Sequence, residues 1–181
     1  MRVPARFRAR LACAAGLTLA VSTSSASAAP SPAGDWLVAK GEAIIRIVDC
    51  GGQYWGLVAW EKNPGGTDAR NPNPALRNRP TLGMPILLGM RPSGQQSAWT
   101  GELYNSEDGR TYSGNISLRG PDTLSVQGCV LGIFCGGEEW RRANGAAALA
   151  QASGHGKAGG AIAALTKESP ARICSGLIRR H

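Results

Sequence analysis

The sequence predicts an all-β protein: an eight-stranded antiparallel barrel or sandwich with one short helical turn in an Asn-Pro loop and an Ala/Gly-rich tail. Apolar and polar residues alternate in eight short runs, and clusters of Gly, Pro, Asn and Asp interrupt the chain about every ten residues. The five Trp all fall between residues 34 and 142, which marks out the part that can build a core.

The runs read as strands are Gly34–Lys40, Ala43–Asp49, Tyr54–Glu61, Pro85–Met90, Ala98–Asn105, Arg110–Leu118, Thr123–Val130 and Glu138–Arg142. Turn residues separate them at Gly51-Gly52, Gly65-Gly66, Pro92-Ser93-Gly94, Asp108-Gly109, Gly120-Pro121-Asp122 and Gly136-Gly137. Eight strands are enough to close a sheet whose interior just holds side chains or one small ligand.

The third link differs from the rest. Residues 67–80, TDARNPNPALRNRP, carry three Pro, three Asn and three Arg. Asn73 followed by Pro74 is an N-cap and first-turn pair, predicting one helical turn over Pro74–Asn78. Pro72, Pro74 and Pro80 fix φ around it, so the segment reads as a rigid lid beside the barrel mouth, carrying Asp68, Asn71, Arg77 and Arg79. Asp68 and Asn71 can equally bond to backbone and tie down a long link, the commoner use of such residues.

Residues 1–28 read as a secretory signal peptide. Arg2, Arg6, Arg8 and Arg10 precede the apolar run Leu11–Val21, and Ala26-Ser27-Ala28 offers a cleavage site. A spanning helix needs about 20 apolar residues, roughly twice this run, so no transmembrane segment is expected. The position of Cys13 near the start of the run argues against a lipid anchor. The mature chain is expected to be periplasmic or secreted.

The formal charge of +8 is unevenly placed. Residues 29–142, the barrel domain, hold eleven basic and eleven acidic residues, while the leader has four Arg and no acid. No phosphate-tracking groove is implied, and nucleic acid is set aside as a partner. Residues 143–181 hold five basic residues against Glu168 and are rich in Ala and Gly. Such a segment buries too little apolar surface to offset its ordering entropy, so it reads as a mostly disordered, solvated tail with a helical stretch near Ala161–Lys167. Its basic residues offer at most a weak contact to the envelope.

Both ends of the domain carry a Trp beside basic or turn residues: Gly34-Asp35-Trp36 and Trp140-Arg141-Arg142. Lipocalins begin with a G-x-W of this type. The resemblance implies a lipocalin-like barrel in which Trp36 plugs the base beneath Arg141 or Arg142, a contact of about 0.5 to 2 kcal/mol. Further motifs extend the likeness: Cys50-Gly51 with Gly56 and Trp60; Asp68, Asn71, Pro72 and Pro74 with Arg77–Pro80; and the strand Gly83–Gly89. After these come Trp99, Gly101 and Tyr104; Asp108-Gly109 with Thr111-Tyr112; Gly128-Cys129 to Cys135; and Trp140 with Arg142. Together they resemble the bacterial domain of unknown function 2147, whose members resemble exported lipocalin-like barrels with no assigned activity. Two departures stand out. Trp55 occupies a position where members often carry a second Cys, and the usual Pro of the Tyr-Asp-Pro turn is replaced, leaving Asn105-Ser106.

Catalysis is constrained because both His residues, His155 and His181, lie in the tail. Nucleophile–imidazole arrangements and His-ligated zinc are therefore excluded from the domain. Asp68, Glu102, Glu107 and Asp108 remain as carboxylates for acid–base or calcium chemistry, but Glu107-Asp108-Gly109 is an ordinary hairpin turn. A carboxylate-based hydrolase is the least favoured reading, and no cofactor is expected.

Cys50, Cys129, Cys135 and Cys174 survive export and allow three pairings. Cys129 and Cys135 flank Gly132 symmetrically, as facing hairpin positions would, and a bridge there contributes about 2 to 3 kcal/mol. The rival joins Cys50 to one of them, and the partner of Cys174 stays open.

Trp60, Trp99, Tyr104 and Tyr112 are the aromatic candidates for a pocket, although large rings on strands more often fill a core. Gly83, Gly89 and Gly101 would leave space inside. The favoured function is binding of a small apolar or amphipathic molecule, with Asp68, Asn71 or Arg77 orienting its polar end. The alternative is a structural or protein- or cell-wall-binding module with a filled barrel.

Overall fold

The structure, a computed structural model, describes residues 30–130, 134–143 and 169–178. Eight strands appear: β1 (Gly34–Leu37), β2 (Ala43–Asp49), β3 (Tyr54–Glu61), β4 (Pro85–Pro92), β5 (Ala98–Asn105), β6 (Arg110–Leu118), β7 (Thr123–Val130) and β8 (Phe134–Arg142). Each pairs antiparallel with the next. β8 returns to β1 through Trp36 opposite Arg142 and Leu37 opposite Arg141, which closes the barrel.

Three strand boundaries differ from expectation. β1 stops at Leu37, because the Val38 N–H already bonds to the Ala43 carbonyl in the first turn. β4 runs on to Pro92, where a strand end needs no ladder donor. β8 starts at Phe134, so Gly136-Gly137 lies within a strand instead of forming a turn. At Gly137 a Cβ would come 2.5 Å from the Val126 carbonyl, so only glycine permits this approach.

The interior cluster takes at least one residue from every strand: Trp36; Ile45 and Ile47; Val58; Leu87 and Met90; Trp99; Ile116; Leu124 and Val126; and Trp140. Ile45 and Ile47, like Leu124 and Val126, keep the period of two expected of a sheet with one buried face, whereas a register shift along β4 sets Leu87 and Met90 three apart. Gly101 does not leave space, since Met90 and the Leu88 backbone already pack against it.

One end of the barrel is plugged. Trp36 is fully buried, its indole N–H donates to the Pro32 carbonyl at 2.8 Å, and the Arg142 guanidinium lies 4.2 Å above its ring. Arg142, not Arg141, is thus the capping residue, and it also donates to the carbonyls of Ala33 and Pro121. Tyr54 and Trp99 meet edge-to-face nearby, with centroids 5.6 Å apart. The β1–β2, β3–β4, β5–β6 and β7–β8 links all leave from the opposite end, as the up-and-down order requires.

A helix, α1 (Pro170–Ile178), packs on the outside of the barrel. Ile173 and Leu177, one turn apart, are buried against Val48, Trp55, Leu57 and Leu88, residues that alternate with the interior set. Disulfides join Cys50 to Cys174 and Cys129 to Cys135. The hairpin bridge is the one expected, and the Cys50 rival is not formed. The tail is therefore structured at 170–178, where Ser169-Pro170 starts the helix. The leader 1–28 and the helical stretch expected at 161–167 lie outside the described residues.

Candidate functional site

A cavity of about 660 Å3 occupies the end of the barrel opposite the Trp36 plug. Ile45, Val58, Ile86 and Leu103 supply apolar wall, and Tyr112 and Trp140 supply rings. Gly128 and Gly136 face it from β7 and β8, where larger side chains would close the space. Glu42, Glu61, Glu107 and Glu138 with Lys40 line it towards the link end. Val130 and Phe134, 46% and 70% exposed, form an apolar lip above the Cys129–Cys135 bridge.

Two rings in the cavity wall are held by carboxylates. The Trp140 indole N–H donates to Glu138. The Tyr112 hydroxyl donates to Asp108, which also accepts the Arg110 N–H at 2.9 Å. This hydrogen bond pushes the Tyr112 phenol above its ordinary pKa, with burial adding to the effect. It also holds the Asp108 carboxyl below its ordinary value.

The expected site residues divide into two groups. Tyr104 and Tyr112 border the cavity; Trp60, Asp68, Asn71, Arg77 and Trp99 do not. Trp60 lies in a separate cluster with Ile44 and Ala59. A bulge between Ile44 and Ile45 sets Trp60 opposite Ile44 while Val58 stays opposite Ile45, so the simple alternation Gly56, Val58, Trp60 breaks. Trp99 belongs to the filled interior beside Tyr54.

Asp68 and Asn71 are structural. Asp68 has no solvent exposure, and both of its oxygens are engaged. Oδ1 accepts from the Tyr104 hydroxyl at 2.6 Å, while Oδ2 accepts from Asn71 Nδ2 at 2.7 Å and Arg79 Nε at 2.8 Å. Asn71 Nδ2 also reaches the Tyr104 hydroxyl, and the Asn71 carbonyl accepts from Arg77. Burial first, and then the bond to Asp68, raises the Tyr104 phenol above its usual pKa. The 3-10 turn Pro74–Leu76 forms behind its cap, with the Asn73 side chain accepting from the Ala75 N–H at 3.0 Å. The stiff segment is thus fastened to β5 by a buried polar network and offers a ligand no free Asp68 acceptor.

Sequence reasoning did not bring Glu42, Glu61 and Glu138 to one place. Part of the signal was present: Glu42 and Glu61 sit in or beside links that an up-and-down barrel sends to one end, whereas Glu138 lies within β8.

The family described as "Uncharacterized protein conserved in bacteria (DUF2147)" matches residues 34–142, the whole barrel. The chain belongs to this family. Its fold is similar to that of protein HP1028 from Helicobacter pylori, a structure described as belonging to the lipocalin family. The TM-score is 0.60 at 18% sequence identity, covering 67% of this chain and 88% of that one. No match was found among curated proteins. For this member of the family the likeness establishes a lipocalin-like barrel.

Proposed function

We propose that the chain is an exported protein of the bacterial envelope that binds a small apolar or amphipathic molecule in the barrel cavity. The observation that carries this reading is the cavity itself: about 660 Å3 of space, apolar walls and one lined mouth, opposite a plugged base. Ligand sites typically fall between about 300 and 1,000 Å3 and combine such walls with a few polar groups. Burial of each ligand methylene contributes about 0.8 kcal/mol, so an alkyl chain supplies affinity and the mouth supplies discrimination. Binding is favoured over catalysis because Asp68, the most buried carboxylate, is saturated by Tyr104, Asn71 and Arg79. Export rests on the leader-like residues 1–28 and on two disulfides, which persist in oxidising compartments.

Native mass spectrometry of protein purified from its own host tests the proposal. A retained small molecule, displaced when Gly128 is replaced by Leu to fill the cavity, is the expected result. If nothing is retained and thermal stability is unchanged across a lipid and metabolite panel, the structural alternative takes its place.

A further inference from the structure

The mouth of the cavity has a distinctive charge. Glu42 from the β1–β2 link, Glu61 at the end of β3, Glu107 from the β5–β6 link and Glu138 on β8 line one space, opposed only by Lys40 among the described lining residues. The barrel domain as a whole balances its charges, so this is segregation rather than general acidity.

Three of the domain's seven other acids are ion-paired, Asp35 with Arg46, Asp68 with Arg79 and Asp122 with Arg142. Among the described residues none of the four mouth glutamates has an ion-pair partner. Arg79 is directed at the buried Asp68, and Arg142 is stacked on Trp36 at the far end. Glu61 adds a second observation. Its Oε2 is shut off from solvent, with no hydrogen-bond donor among the described residues. An acceptor sheltered in this way is costly unless a donor arrives from elsewhere. Low-dielectric walls such as Ile45, Val58, Ile86 and Leu103 focus the field of the carboxylates above them.

We propose that the cavity selects amphiphiles whose polar end is an organic cation, an ammonium or guanidinium group held among the mouth glutamates with its apolar body on the walls below. The inference rests on reading the cavity as a ligand site. It also carries a negative side: a carboxylate-headed lipid of the same length would meet four like charges and be rejected.

The test uses the full mature chain and three probes of equal chain length, decylammonium, decanol and decanoate, below micelle-forming concentrations. Binding is followed by Trp fluorescence and calorimetry. Decylammonium is expected to bind about tenfold more tightly than decanol, in keeping with a few partly exposed ion pairs, and decanoate more weakly than decanol. The preference should shrink as salt rises from about 0.01 M to about 1 M. In the Glu61→Gln/Glu107→Gln double variant the ratio of ammonium to alcohol affinity should fall by about fivefold. A ratio does not depend on the variant's overall stability. Equal binding of the three probes, a decanoate preference, or a preference indifferent to both salt and substitution overturns the cation inference and leaves the cavity reading intact. Absence of binding by all three removes the cavity reading itself.

Discussion

Replacing Asp68 by Asn tests whether the Asn-Pro segment is fastened by the network rather than offered to a ligand. The substitution preserves shape but removes the charge from a site with no solvent exposure. Three donors converge on that carboxylate, from Tyr104, Asn71 and Arg79. The amide keeps one acceptor oxygen and must point its NH2 group at another donor. Hydrogen bonds to a charged partner contribute about 1.5–3 kcal/mol each, and breaking a buried pair costs about 3–5 kcal/mol. The Arg79 side chain is 27% exposed and regains water, which places the expected loss near the lower bound, about 3 kcal/mol. For a domain of this size that lowers the melting temperature by about 12–15 °C. Urea unfolding followed by Trp fluorescence gives the free energy, and an unchanged dependence on denaturant confirms a change in stability alone. Tyr104→Phe should cost less, and the double variant less than the sum by at least about 1 kcal/mol. A loss below about 1 kcal/mol for Asp68→Asn, or strict additivity with Tyr104→Phe, would refute the reasoning.

The two disulfides should differ in strength, because they close loops of very different length, with partners 124 and 6 residues apart. By chain entropy Cys174→Ser should cost up to about 5 kcal/mol and the pair Cys129→Ser/Cys135→Ser about 2 kcal/mol, both measured by urea unfolding. Gly109→Ala should destabilise strongly, since Gly109 has φ +70° and an added methyl would run into the Arg70 carbonyl; a thermal melt within about 1 °C of the parent would contradict this. The raised phenol of Tyr104 sets a limit in alkali: the stability from keeping it neutral is complete below its ordinary pKa of 10.0 and is lost as pH climbs towards the raised value. The depressed Asp108 acts in acid: the stability from its bond to Tyr112 is complete above its ordinary pKa of 3.8 and is lost as pH falls through the lower value. Melting temperature against pH should show Tyr104→Phe relaxing the alkaline limb, and Tyr112→Phe relaxing the acid limb together with the share of the alkaline limb that comes from its own raised phenol.

Most strands were legible because alternation and turn residues report local geometry, and Ala43–Asp49 or Thr123–Val130 could be bounded from them alone. Features set by contacts distant in sequence were not. Gly136-Gly137 resembles a turn until the Val126 carbonyl is seen to require glycine opposite it. Trp60 falls outside the cavity because one bulged residue shifts the register, and periodicity carries no mark of that shift. α1 was hidden by averaging over an Ala/Gly-rich tail, although Ser169-Pro170, the Ile173/Leu177 spacing and an unassigned Cys174 were each visible. Within the site, Tyr112 was legible as an aromatic on a strand. The tying role of Asp68 and Asn71 followed from their chemistry, whereas the gathering of four glutamates required the topology.

The bond from Cys50 to Cys174 makes most of the polypeptide a covalent ring. A protease that cuts once anywhere between Ala143 and Ser169 would therefore release nothing: the clipped helix would stay tethered to the second hairpin, and the two pieces would separate only after reduction. A chain severed there in a protease-rich compartment would run as intact on a non-reducing gel and keep its barrel closed.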